Sequence, residues 1–265
     1  MTAAAPPPLA AYLDRPLAEP NPEALAAVTG GPMAPFDALA LSRIDRQLDP
    51  EPLAVESGWC VMPDGVVKVQ VLTPMPGVSA EMVDWWFDWH PREPDRYRAW
   101  HPASHVTNTL VEPARAGAKA HWGATHYPVE RLGGEEVRVR IEFVAPVDIG
   151  FSTNALGDPA VATVVCGLAA DMRIRVRHTA MSHVWLDDGD GGTRLRSHFW
   201  CGAVVRPDLP GALGDLAGSL LNRAAVRRRA LPADLGPSLS RHCVEEFSNL
   251  AEILPGLYER FGDGR

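Results

Sequence analysis

An α+β fold, a curved antiparallel sheet wrapped around one long C-terminal helix, is predicted by three features of this 265-residue chain. Apolar residues alternate in steps of two from about 106 to 204, the mark of strands with one buried face. They return to helical spacing in the last sixty or so residues. The first fifty or so are interrupted by prolines and read as an arm rather than as part of the sheet. A sheet followed by a long helix is the order of a helix-grip domain, which leaves a cavity between the two.

The arm, 1–50, carries Pro6, Pro7, Pro8, Pro16, Pro20, Pro22, Pro32, Pro35 and Pro50, too many for long helices. It is expected to lie extended or short-helical over the core, its first ten or so residues being candidates for disorder. Residues 51–265 then form a single helix-grip domain. Gly65 to Pro74 is β-branched through Val66, Val67, Val69 and Val71 and reads as a strand. Ser79 to His90 reads as a short helix, with Ser79 as N-cap and Glu81 in the positive first turn. Val137, Val139, Ile141 and Phe143 alternate with Glu136, Arg138, Arg140 and Glu142, and Met172, Ile174 and Val176 alternate with arginines. Asp187 to Gly192 is a turn between strands at 179–186 and 193–204. Five to seven strands are expected. Helices are predicted at 211–229, ending in Arg227-Arg228-Arg229, and at 238–254, stopped by Pro255.

A net charge of −8 and a pI near 5.6 argue against nucleic acid or an anionic membrane as partner. Small molecules or proteins are more natural, and a homodimer is a candidate assembly. Cys60, Cys166, Cys201 and Cys243 show no metal or dithiol spacing and read as buried free thiols suited to a reducing cytoplasm. Neither a signal peptide nor a membrane span is legible.

The sharpest chemical signal is His242-Cys243-Val244-Glu245-Glu246, because residues four apart on a helix can reach one ion together. Alone it is equally a surface His–Glu contact. Its place beside the apolar stripe of Cys243, Val244, Phe247 and Leu250 turns it toward the cavity. Further ligands are needed, and Tyr97 to Asn108 packs Trp100, His101 and His105 into a dozen residues. His121, His126 and Glu130 follow, and His183 and His198 sit on the two arms of the predicted hairpin. Trp85, Trp86, Phe87 and Trp89 are core candidates and at most one wall of an aromatic pocket. Nucleophile-elbow, dinucleotide, phosphate-loop and H-E-x-x-H motifs are absent.

Five segments in order carry a resemblance: Asp84-Trp85-Trp86-Phe87-Asp88-Trp89-His90; Arg96 through Asn108; Val129-Glu130-Arg131-Leu132-Gly133-Gly134; Arg196-Ser197-His198-Phe199-Trp200; and His242 to Glu246. Over roughly residues 80–255 the chain resembles the diacetylphloroglucinol hydrolases and their phloretin-hydrolase relatives. The resemblance implies a Bet v 1-like helix-grip fold and a zinc ion held by two histidines and two glutamates. It assigns the ligands to His105, Glu130, His242 and Glu246, with His101 and Glu136 as competing choices. It also places His183, Tyr97 and Asn108 in the pocket.

The family's second pocket tyrosine falls near His198 and Phe199, where this chain has none. The implied reaction is hydrolysis of the carbon–carbon bond between an acyl group and a phenolic ring of an acylated polyphenol. The ion would activate water and polarise an acyl carbonyl or phenolic oxygen. His183, Tyr97 or that water would protonate the ring carbon, with Asn108 orienting a phenolic hydroxyl. Iron, manganese or nickel would also suit the donors. The main alternative is a binding or cyclase-like protein for aromatic polyketides, and another is a metal enzyme acting on a different bond.

Overall fold

The computed structural model describes residues 8–112 and 118–262. The expected disorder at the start of the arm falls mostly on residues 1–7, outside the described residues. Beyond them come α1 (Leu9–Asp14), α2 (Pro22–Thr29) and a 3-10 helix at Leu41–Gln47. Helix α2 begins where its sequence dictates: Asn21 Oδ1 accepts from Ala24 N at 2.8 Å, and Pro22 takes the first helical position, which needs no N–H.

The hairpin β1 (Gly58–Val61) and β2 (Val67–Met75) is followed by α3 (Ala80–Trp89), capped as expected by Ser79 Oγ, and by α4 (Pro94–Trp100). Then come β3 (His105–Thr107), β4 (Leu110–Val111), β5 (Thr125–His126), β6 (Val129–Leu132) and β7 (Glu135–Val144). After α5 (Thr153–Leu156) follow the long strands β8 (Val161–Asp171), β9 (Val176–Asp187) and β10 (Thr193–Pro207). The chain closes with α6 (Gly211–Leu221), α7 (Ala224–Ala230) and α8 (Leu235–Phe261).

Among the described residues the sheet has ten strands, all paired antiparallel, in the order β1-β2-β10-β9-β8-β7. It forks at β7, where Ile141 and Glu142 pair with β5 while Glu135 to Arg138 pair with β6, which carries β3. The count exceeds the expected five to seven because β3 to β6 are two to four residues long, too short to show a period.

Three other expectations are corrected. Met172 to Arg175 form a turn rather than strand: Arg175 N donates to Asp171 O, the Asp171 carboxylate holds Arg173, and Ile174 is exposed. The helix at 211–229 is two helices, because Asn222 folds its side chain back to Gly218 O and to Val205 O on β10. Helix α8 runs through Pro255: the ring forfeits one hydrogen bond, but Ile253, Leu254 and Leu257 stay buried on either side of it.

The inner face of the sheet grips α8. Val69, Val71, Val165, Trp185 and Leu195 meet Cys243, Val244, Phe247 and Leu250 in one core, which Tyr12, Ala24 and Val28 of the first two helices also enter. The outer face is covered by the stretch before β1. There Ile44 and Leu48 pack on Val164, Val184 and Leu186, and Trp200 Nε1 donates to Leu39 O at 2.8 Å. No described helix is long and apolar enough to cross a membrane.

Candidate metal centre

Local folding brings the four residues to one place from three elements. His242 and Glu246 are one turn apart on α8, both buried, at the edge of its apolar stripe. His105 opens β3, and Glu130 is its register partner on β6. Directly opposite residues of an antiparallel pair project to the same face, so this ladder sets a histidine against a glutamate although they are far apart in sequence.

The donor atoms face one another without touching. His105 Nε2 lies 3.5 Å from Glu246 Oε2, and His242 Nε2 lies 3.6 Å from the same oxygen and 3.9 Å from Glu130 Oε2. Ligands at about 2.1 Å from a tetrahedral ion are about 3.4 Å apart, so these gaps suit a shared ion better than hydrogen bonds. His105, Glu130 and His242 form a group able to hold a metal, with ligand atoms all within 4.8 Å of one another.

The chemistry of the donors also fits a divalent cation. His105 Nε2 is buried and has no hydrogen-bond partner among the described residues, while Nδ1 faces Tyr97 O at 3.1 Å, the orienting contact that ligand histidines usually have. Burial pushes His105 and His242 down to about 4, so both are neutral and free to ligate. Burial, with Glu130 nearby, raises Glu246 to about 7.

Surrounding groups fix the geometry. The Tyr97 hydroxyl donates to Glu130 Oε1, its ring stacks on His105 at 4.1 Å, and Trp100 Nε1 donates to Glu246 O at 3.1 Å. Of the competing choices, His101 accepts from Ser104 N at Nδ1, so Nε2 carries the proton; that nitrogen is buried, has no hydrogen-bond partner among the described residues and lies 3.5 Å from Glu245, outside the His105–Glu130–His242 group. Glu136 is exposed and pairs with Arg138.

The cluster borders a cavity of about 180 Å³ between sheet and helix. Tyr97, Asn108 and His183 all line it. His183 Nδ1 is 2.9 Å from Ser197 Oγ, and its ring packs 4.9 Å from Phe247. His198 does not share this face. Its register partner is Ser182, one step out of phase with His183 and Ser197, and its Nδ1 meets the buried Lys68 Nζ at 3.0 Å on the far side of the sheet. Phe199 takes the inward position and offers no hydrogen bond. Of the aromatic run only Phe87 reaches the cavity, and Trp86 is wholly core.

Two lining histidines had no role in the sequence reading. His90 stands one turn beyond Trp86, whose carbonyl is 2.7 Å from its Nδ1, and that i, i+4 spacing was available as a signal. His178 enters through the β9 bulge, which no residue pattern announced.

A sheet closed on a helix, with a His/Glu cluster on the cavity between them, defines a helix-grip protein with a candidate metal centre. The chain belongs to the family described as the DAPG hydrolase PhiG domain, whose model matches residues 39–259. It is 30% identical over 255 residues to a phloretin hydrolase of Eubacterium ramulus, covering 93% of this chain and 88% of that one. It is 32% identical over 246 residues to a 2,4-diacetylphloroglucinol hydrolase of a Pseudomonas species, covering 88% and 81%. Similarity to solved structures is weaker: the Zhui aromatase/cyclase of Streptomyces sp. R1128 gives a TM-score of 0.38 at 14% identity, over 76% of this chain and 96% of that one.

Proposed function

We propose that this chain is a metal-dependent hydrolase that cleaves the carbon–carbon bond between an acyl group and a phloroglucinol-type ring, releasing a carboxylic acid and the phenol. The observation that carries this reading is the set of donors, buried except for the half-buried Glu130, 3.5–3.9 Å apart on the wall of an aromatic-lined cavity. His105, Glu130, His242 and Glu246 would hold the ion. When bound, a zinc ion there supplies Lewis acidity toward the acyl carbonyl and lowers the pKa of water.

The protein's own groups do the rest. Water gives its hydroxyl to the acyl carbon, the bond to the ring breaks with its electron pair on the ring carbon, and that carbon takes a proton. His183 suits both proton moves. Burial holds it down to about 3, so it is neutral and open to the water proton, which it then returns to the ring carbon; at that value it is a weak base and a strong acid. The depressed value suits the second move, protonation of the ring carbon, better than the first. Tyr97 stays protonated, because burial and Glu130 raise its pKa well above the ordinary value, and its hydroxyl positions Glu130. Asn108 orients a phenolic hydroxyl. Leu132, Val139, Leu235 and Leu239 give the acyl tail an apolar wall. Four buried free cysteines suit a reducing cytoplasm.

The test is incubation of purified protein with acylated phloroglucinols and phloretin, following release of phloroglucinol alongside metal analysis. Glu246→Ala and His242→Ala are expected to lose metal and activity together, by about a hundredfold or more. A metal-free protein with full activity would overturn the mechanism, and a metal-free protein that binds polyphenols without cleaving them would make it a carrier.

A further inference from the structure

We infer that α6 and the neighbouring β8–β9 turn form a docking surface for an anionic lipid bilayer. The sequence of α6 puts its glycines on one side and its leucines on the other. Gly214 and Gly218 are buried: a Cβ on Gly218 would lie 3.3 Å from Val205 O on β10, and one on Gly214 would run into Leu209 O. The leucines therefore cannot turn inward. Leu209, Leu213, Leu216 and Leu220 recur at steps of three and four, so they form one stripe that points away from the sheet. They are 45–69% exposed.

The stripe continues onto the turn. Asp208 N donates to Arg175 O at 3.0 Å, which sets the exposed Ile174 beside Leu209. Single exposed apolar residues need no explanation, but five on one face mark an interaction site.

Charge decides between occupants. Residues 206–229 hold five arginines and two aspartates, and Asp208 is already held by Arg140 through contacts of 2.9 and 3.2 Å. Arg206, Arg223 and Arg229 are exposed and have no acidic partner among the described residues. The net charge of −8 governs the distant field, whereas a docked face feels the charges within a Debye length, about 10 Å at 0.1 M salt. A second copy suits this face poorly. A two-fold contact would set the patch against itself and bring like-charged rims together, with only Asp215 on the helix to answer them. A bilayer accepts both parts: leucines enter the boundary between headgroups and acyl chains, and arginines meet anionic headgroups.

The place of the surface gives it a use, and that use alone rests on the proposed substrate class. Ala169 on β8 and His178 on β9 line the cavity, and Ile174 is four residues from His178, at most about 14 Å of chain. Acylated phenolic rings concentrate in lipid, so docking by this face brings the cavity close to their store.

The experiment is flotation of the full-length protein, without substrate, on vesicles of two parts phosphatidylcholine to one part phosphatidylglycerol and on vesicles of phosphatidylcholine alone. Wild type is expected to bind the anionic vesicles about tenfold or more tightly than the neutral ones, and to be released as salt rises. Leu213→Ser with Leu216→Ser, and separately Arg223→Gln with Arg229→Gln, should each weaken binding by about tenfold or more with an unchanged urea midpoint. Absence of wild-type flotation, equal flotation on both kinds of vesicle, or undiminished flotation of the leucine variant overturns the surface. So does sedimentation velocity in which wild type self-associates and the leucine variant is a monomer, because a second copy would then cover the stripe. The wild-type lipid and salt comparison stands even if a variant fails to fold. Hydrolysis is read separately: flotation without hydrolysis of any acylphloroglucinol sinks the proposed reaction and leaves the surface, and hydrolysis without flotation does the reverse.

Discussion

At the scale of single residues, the candidate centre depends on groups that would never touch the ion. The Tyr97 hydroxyl holds Glu130, and the Tyr97 carbonyl faces His105 Nδ1. Tyr97→Phe removes the first contact and keeps the second, along with the stacking on His105. Outer contacts of this kind are worth about 10–100-fold in metal affinity, so a competition titration with a chelator should show a loss in that range with the fold intact. An unchanged affinity would mean that Glu130 needs no support from Tyr97. Residues are also the scale at which the sequence was least legible. His242 and Glu246 could be read from helical spacing together with the apolar stripe beside them. His105 and Glu130 could not, because they meet only through the two-residue register of β3 with β6. His101 and His105 both turn Nδ1 to the backbone and differ in its partner, His101 accepting from Ser104 N and His105 facing Tyr97 O, a detail below the reach of composition or period.

At the scale of elements, one side chain carries much of the hydrogen bonding between the outer face of the sheet and the preceding stretch. Arg196 on β10 is 1% exposed and donates to Gln47 O, Asp49 O and Glu51 O while forking onto both oxygens of Glu56. Three carbonyls and a carboxylate thus share one guanidinium, a load that Lys, with its compact ammonium, could not carry in this geometry. Arg196→Met leaves the buried Gln47 O and the partly buried acceptors of Asp49, Glu51 and Glu56 without this donor, and a cost of about 1–3 kcal/mol is expected. Urea unfolding checks it, and a change under about 1 kcal/mol would show the contact to be dispensable. The alternation of β7, the hairpin of β9 and β10 and the apolar stripe of α8 were legible because each runs long enough to establish a period. Arg196 was visible in the sequence only as part of a motif, since its partners lie some 140 to 149 positions earlier. The same parity argument, carried one step further, would have separated His183 from His198: paired strands put residues 183 and 197 on one face, so 198 must lie on the other.

At the scale of the whole molecule, the cavity and its walls store an unusual number of neutral, buried histidines, and this sets the response to acid. Burial holds His121 to about 4 and His126 and His183 to about 3, against ordinary values near 6.5. The sign follows from proton counting. Between pH 6.5 and 4 the unfolded chain binds protons at these sites and the folded chain does not, so stability is full above 6.5 and falls as pH drops. Each histidine contributes about 1.4 kcal/mol per pH unit, and the three together about 4. In the metal-free protein, Glu246, raised to about 7, works the other way and offsets roughly one of them. His105 and His242, lowered to about 4, more than replace it. Since native domains hold only about 5–15 kcal/mol in all, the metal-free chain should lose most of its stability between pH 6.5 and 5. Urea midpoints measured across that interval test this. A flat profile would mean that the histidines titrate in the folded chain as they do in the unfolded one.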